Sequence, residues 1–268
     1  MSFYNDPISV TYHHGSKILL TSAWHDRNII CPNSKFYYVL RGEICIQTET
    51  EKLIAKAGDA ILIPAGIKHS YYLTELGFAE KYWFHFDLRI AQGNYFDYLN
   101  LPKIKHLGHN AELINLFEMI INADSQIPGE RLRASSALLN LISVYVSNAE
   151  YIRVENEKTD ETERVINYIK KNYHENFTLA ALSDIANLSP NYLEKKFKER
   201  TGLPPLKYVN TLRLERAKFL LEHSTKSVTE IMVEVGFWDA SHFSKLFKSE
   251  TGYSPTKFRK AVGKSDLS

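Results

Sequence analysis

One short segment occurs twice in this chain. Residues 188–205 read "LSPNYLEKKFKERTGLPP" and residues 236–255 read "GFWDASHFSKLFKSETGYSP". Set fifty residues apart, the copies share Lys195/Lys245, Phe197/Phe247, Lys198/Lys248, Thr201/Thr251, Gly202/Gly252, Pro205/Pro255 and Lys207/Lys257. The pattern predicts two amphipathic helices. Leu193 and Phe197 in one copy, and Phe243, Leu246 and Phe247 in the other, stand at i, i+3, i+4 spacing and must bury.

Each copy has helix-turn-helix form. The first predicts a helix over 179–187, a turn at Leu188–Ser189 and a second helix from Pro190, with Ser189 as N-cap before a proline at the first helical position. The second predicts Gly236 in the turn and Asp239 as cap. Upstream of the turns the offset falls to 49, pairing Leu182 with Ile231 and Leu188 with Phe237, so the second turn is one residue longer.

The outward faces carry Asn191, Glu194, Lys195 and Lys198 in one copy, and Ser241, Ser244, Lys245 and Lys248 in the other. Amides, hydroxyls and lysines donate to phosphates and base edges, and a major groove admits such a helix. A lone amphipathic helix with these residues reads as a solvated face; the same lysines kept in both copies favour a binding surface. Between them, "PPLKYVNTLRLERAKFLLEHS" predicts one helix of about 18 residues, ~27 Å long. Leu206, Val209, Leu212, Leu214, Ala217, Leu220 and Leu221 are expected to dock on both units. Such a spacer can hold two recognition helices about one DNA turn (~34 Å) apart.

The other half is built differently. Tyr-, Phe-, Ile- and Val-rich runs such as "FYYVLRGEICIQTE", "GDAILIPAGIKHSYYL" and "EKYWFHFDL" predict short strands joined by turns, hence a sandwich or barrel. From Ala111 the period becomes helical, with Leu113, Leu116, Phe117 and Ile120 on one face and a longer apolar helix over 131–147. Residues 1–155 hold 14 Lys and Arg against 16 Asp and Glu, a net of −2, whereas 156–268 hold 19 against 15, a net of +4. The basic excess lies with the duplicated helices, where a polyanion would be met. Two cysteines, Cys31 and Cys45, offer neither a disulfide framework nor metal-site spacing. No signal-like start and no membrane-length apolar run is seen, which predicts a cytoplasmic protein without membrane contact.

Residues 163–259 resemble the DNA-binding domain of the AraC/XylS family of bacterial transcription regulators, on "LRLERAKFLL", "GF.D.SHFSKLFK" and "TGYSPTKFR". The resemblance places base-facing positions at Asn191, Glu194 and Lys195, and at Ala240, Ser241, Ser244 and Lys245. It implies a double-stranded DNA operator, a homodimer through the 111–147 helices, and RNA polymerase as a further partner. Two positions depart from the family: the small residue usual near the start of each unit is Ser183 in one copy and Met232 in the other.

"GDAILIPAGIKH" fits the Gly-x5-Pro-x-Gly-x2-His motif of the cupin family at Gly58, Pro64, Gly66 and His69. Enzymatic cupins hold a metal with three histidines and a glutamate. Here the glutamate position is Lys35 and the His-x-His positions fall in the histidine-free 28–31, so no metal is expected. An organic effector is expected instead. If His69 points inward, Tyr71 does too, and Trp83 and His85 share a face of their strand. Likeness to sugar-sensing relatives implies Arg27, Tyr71 and Trp83 as sugar contacts, with His69 and His85 as further polar groups. The other reading of Trp83 is plain core.

The expectation is an α+β, multi-domain chain. It comprises a cupin-like barrel at 1–109, a helical dimerisation segment at 110–150, a linker at 151–162, and a DNA-binding domain with two helix-turn-helix units at 163–262. The function expected is transcription regulation controlled by a small organic effector, a sugar, with no catalytic residue, metal or cofactor. The rivals are a metal-independent cupin enzyme with a helical appendage and a constitutive nucleic-acid-binding protein without effector.

Overall fold

The computed structural model describes residues 7–20, 25–90, 93–124, 126–151 and 161–262. The chain divides into two compact units, 1–158 and 159–268.

The first unit is the expected β-barrel with a helical hairpin. Its strands are β1 (Ile8–Leu20), β2 (His25–Ile30), β3 (Ser34–Thr48), β4 (Lys52–Lys56), β5 (Asp59–Ile63), β6 (Lys68–Leu73) and β7 (Ala79–Ile90), followed by the short β8 (Gly93–Asn94), β9 (Leu99–Asn100) and β10 (Ile104–His106). One sheet runs β1-β7-β3-β5-β10; β2, β6 and β4 are joined to it through the far half of β3. Strand β3 takes part in both because its register with β7 shifts between Val39 and Arg41, after which it pairs with β4 and β6. The long β1 and the strand β2 were not read from the sequence.

Alternation along β3 and β7 separates two cores. Phe36, Tyr38, Tyr82, Phe84 and Phe86 face outward and receive helices α1 (Ala111–Ile121) and α2 (Pro128–Val146). Phe117 of α1 is the plug: its ring lies 5.0 Å from Tyr82, 5.3 Å from Tyr38 and 5.9 Å from Phe84. The opposite face, inside the barrel, buries Tyr37, Val39, Ile44, Ile46, Ile61, Ile63 and Tyr71. The apolar faces of both helices are therefore used within the unit. What α2 leaves outside is a narrow strip containing Leu132, 73% exposed, and Leu139, 39% exposed.

Strand β11 (Glu150–Tyr151) pairs with β9, and α3 (Glu161–Asn172) opens the second unit. Both ends of the expected linker are thus regular structure; its residues 152–160 lie outside the described residues.

The second unit continues with α4 (Leu179–Ala186), α5 (Pro190–Thr201), α6 (Pro205–His223), α7 (Val228–Glu234), α8 (Ala240–Thr251) and α9 (Pro255–Val262). The shared Thr-Gly is a shared helix stop. Gly202 and Gly252 both adopt the left-handed conformation, φ 78° and 77°, and return their N–H to the carbonyls of Lys198 and Lys248 at 2.8 and 2.9 Å. Thr201 Oγ1 lies 2.7 Å from the Phe197 carbonyl and accepts from Leu203 N at 3.2 Å; Thr251 repeats this with Phe247 and Tyr253 at 2.8 and 3.2 Å. The prolines three residues beyond start α6 and α9.

Helix α6 spans 19 residues and buries Val209, Leu212, Leu214, Ala217, Leu220 and Leu221 as expected. Leu206 is a correction: at its first turn it is 42% exposed, on the side away from the core.

Candidate DNA-binding and effector sites

The two helix-turn-helix units are held alike. Leu188 N donates to the Ser183 carbonyl at 3.1 Å, and Phe237 N to the Met232 carbonyl at 2.9 Å, which are equivalent residues at the offset of 49. Ser183 and Met232 are both buried, and Met232 lies in the core formed with Ile231, Phe237, Phe243 and Phe247. The larger side chain is absorbed by packing. Asp239 caps α8, its Oδ1 accepting from His242 N at 2.5 Å. Ser189 holds the cap position of α5 with extended backbone, but its hydroxyl makes no cap bond; the proline at N1 alone sets that start. The start of α7 is a capping box between Ser227 and Glu230, which the sequence reading passed over. The Glu230 carboxyl is held below its usual range by hydrogen bonds from Ser227.

A buried cation on α6 joins the loop before α4 to the second turn. Arg213 of α6 donates to the carbonyls of Tyr173 and Glu175 at 2.7 and 2.5 Å, and its guanidinium lies 5.4 Å from the centre of the Phe237 ring. Burial lowers its pKa, the expected cost of removing a charge from water.

On α5, Leu193 and Phe197 are buried while Asn191, Glu194, Lys195 and Lys198 are exposed. On α8, Phe243 and Phe247 are buried, Ala240, Ser241, Lys245 and Lys248 are exposed, and Ser244 is half-buried. Each helix therefore offers one polar face at corresponding positions. Lys195 has Glu199 as a neighbour at 4.0 Å, both well exposed, which leaves its ammonium little restrained.

Inside the barrel the residues predicted for an effector fall into two groups. On β1 and β7, Trp83 is half-buried beside the buried His85, ring centroids 5.2 Å apart, and His14 lies 5.6 Å from Trp83 and 4.6 Å from His85. On β3 and β6, Tyr71 lies 6.2 Å from His69 and 6.3 Å from Tyr37. His69 Nδ1 donates to the Ile67 carbonyl at 2.8 Å. His69 and Tyr71 both face inward, as the two-residue period requires.

Between the groups stand two buried lysines. Lys35, the register partner of His85, holds Nζ 5.2 Å from the Tyr71 ring; Lys81 holds Nζ 3.5 Å from the Tyr37 ring and 5.8 Å from that of Tyr71. Lys81, His14 and Tyr37 were missed by sequence reasoning. Lys81 was findable, since it lies two residues before Trp83 on the same face; His14 and Tyr37 depend on strand pairing. Further along β7, Asp87 accepts from Asn33 at 3.3 Å and lies 2.9 Å from His13 Nε2.

Arg27 does not join this constellation. It is exposed, in the stretch of β2 where the register against β6 shifts between Asp26 and Ile29. Ile29, opposite the inward His69, would by regular alternation turn Arg27 inward too, and the one extra residue between Asp26 and Ile29 breaks that alternation.

A helix-turn-helix domain family matches residues 182–261 and a cupin domain family matches residues 31–77. The chain is 30% identical over 239 residues to the Msm operon regulatory protein of Streptococcus mutans, covering 86% of this chain and 85% of that one. It is 30% identical over 223 residues to the raffinose operon transcriptional regulatory protein RafR of Pediococcus pentosaceus, covering 78% of each. Over 104 residues it is 40% identical to the transcriptional activator RhaS of Escherichia fergusonii, covering 38% of this chain and 37% of that one. Among solved structures, ToxT from Vibrio cholerae superposes with a TM-score of 0.63 at 14% identity, covering 94% of this chain and 98% of that one, a likeness of fold.

Proposed function

The chain belongs to the AraC/XylS family of transcription regulators, with a cupin-type domain followed by a tandem helix-turn-helix domain, and from that premise we propose that it switches a sugar-utilisation operon in response to a sugar bound inside its barrel. DNA binding is the family's property. The finer assignment takes α5 and α8 as the recognition helices. Asn191, Glu194, Lys195 and Lys198 would face one stretch of groove, and Ala240, Ser241, Ser244, Lys245 and Lys248 the next. A lysine donates to phosphate or guanine, a serine to either, and Glu194 can accept from cytosine N4.

The observation that carries the effector reading is the barrel interior. A plain core is built from apolar side chains, whereas this interior gathers Lys35, Lys81, His14, His69 and His85 among its aromatic rings, a mixture of flat apolar faces and polar groups that suits a polar organic ligand. A sugar presents an apolar C–H face and a rim of hydroxyls. Trp83 suits the first; His69, Tyr71, His85 and the lysines suit the second. The S. mutans and P. pentosaceus relatives are named for operon regulation, the latter for raffinose, which supports the choice of class. The exposed strip at Leu132 and Leu139 supplies the surface for a homodimer, and residues 1–109, 110–150 and 163–262 would be sensor, dimerisation and DNA-binding segments.

The test is a thermal-shift screen of mono- and oligosaccharides on the full chain. A cognate sugar stabilises the folded state by mass action, and at saturation it must change the affinity for an operator duplex. A screen in which no sugar moves the transition would defeat the sugar assignment while leaving DNA binding intact.

A further inference from the structure

We propose that Trp238 is a DNA-contacting residue, its indole packed against the sugar–phosphate edge of the groove that α8 enters. The inference rests on α8 being a recognition helix and adds a contact that lies outside both recognition helices.

It follows from comparing the two copies. Leu188 and Phe237 make the same backbone bond to Ser183 and Met232, and Ser189 and Asp239 are the corresponding N-caps of α5 and α8. Ser189 follows Leu188 directly, whereas one residue separates Phe237 from Asp239. That inserted residue is Trp238. Both of its neighbours serve the fold: Phe237 is 3% exposed with its ring 5.2 Å from that of Phe243, and Asp239 caps the helix. Trp238 is 68% exposed, the most exposed large apolar side chain among the described residues of the second unit.

Its place defines what it can touch. A recognition helix enters the major groove with its N-terminal residues nearest the bases, so the residue just before the N-cap stands beside a backbone strand. An indole offers a flat apolar face for deoxyribose C–H groups and one N–H for a phosphate oxygen. Neither contact distinguishes one base pair from another. Trp238 should therefore add affinity without sequence preference, and an uncharged contact releases no counterion.

The experiment measures full-chain binding to a mapped operator duplex and to an unrelated duplex of equal length. Trp238→Ala should weaken both by a similar factor, about tenfold, the scale of one aromatic anchor, with the salt dependence unchanged; Trp238→Phe should fall between. Wild-type affinity of Trp238→Ala for both duplexes, with Lys245→Ala weakened, overturns the proposal and leaves α8 as a recognition helix. Wild-type affinity of both variants removes the recognition-helix reading itself, and the proposal with it. Loss of transcription control at unchanged DNA affinity assigns the indole to a protein partner and likewise overturns the proposal. As a control against misfolding, acrylamide quenching is compared between wild type and Trp238→Phe. The emission lost in the variant must be shielded by operator DNA in the wild type, and emission that stays open to quencher in the complex also overturns the contact.

Discussion

The backbone of Gly236 lies against the carbonyl group of His174, so closely that a Cβ at 236 would stand 2.6 Å from that oxygen. Gly236 also has φ 91°, a conformation that side chains resist. The turn of the second helix-turn-helix is thus seated on the loop between α3 and α4, which leads into the first. Gly236→Ala should lower stability by about 2–4 kcal/mol, adding backbone strain to overpacking. Urea unfolding of the full chain reads this, and operator affinity should fall with it.

Arg213 reinforces the same junction through the carbonyls of Tyr173 and Glu175. Arg213→Lys keeps the charge but not the fork that reaches both oxygens. The expected cost is about 2–3 kcal/mol, from two charge-assisted bonds weakened in a buried site. A variant with a wild-type denaturation midpoint would show that the bonds are dispensable.

The polar faces proposed for recognition on α5 and α8 predict a different signature. Lys195→Ala and Lys245→Ala remove exposed side chains, so thermal midpoints should stay close to wild type. Operator affinity should drop by roughly 1–3 kcal/mol if a base edge is read, with relaxed preference at one position. A uniform loss with a shallower salt dependence would assign the lysine to phosphate instead.

Trp83 is half-buried beside His14 and His85. Trp83→Phe keeps most of the volume and shrinks the stacking surface. Calorimetry should find the sugar bound about tenfold more weakly, with folding intact by circular dichroism and the effector-free operator affinity unchanged. Unchanged sugar binding would return Trp83 to the core.

Glu80 sets a pH dependence in the barrel. Burial by itself would raise its pKa, but hydrogen bonds and charge from Arg41 at 2.8 Å and Lys17 at 3.2 Å hold it below the usual carboxylate range. A carboxyl with a depressed folded-state pKa stabilises fully above its unfolded value, about 4.3, and that contribution fades as pH falls through the folded-state value. Between about pH 7 and pH 3 the wild type should therefore lose more stability than Glu80→Gln. Parallel losses in urea titrations would rule out the bridge as a source of acid sensitivity.

Much of the second unit was legible from short-range pattern. Thr-Gly stops, proline starts and the spacing of Phe243 and Phe247 act within one or two helical turns, and the helices formed where those signals stood. Ser189 shows the limit: the cap position was correct, but whether its hydroxyl turns to the helix is a rotamer choice that composition does not set. Leu206 shows another, since an apolar residue at a helix start buries only if a neighbour covers that turn.

The barrel was legible as a fold and much less as a site. A two-residue period placed Trp83 and His85 together, and His69 and Tyr71 together, because alternation is a property of one strand. That His14 joins Trp83, that Lys35 stands opposite His85, and that Lys81 lies over Tyr37 all depend on which strands pair and in what register. Arg27 was lost the same way, to a register shift that no local signal announced. The sequence by itself therefore determined the family, the duplicated helices and the faces they expose, since those arise from interactions between residues a few positions apart. Only the tertiary structure decided which side chains meet inside the barrel and that Gly236 rests on His174, since those contacts join residues far apart in the chain and depend on how strands and loops are brought together.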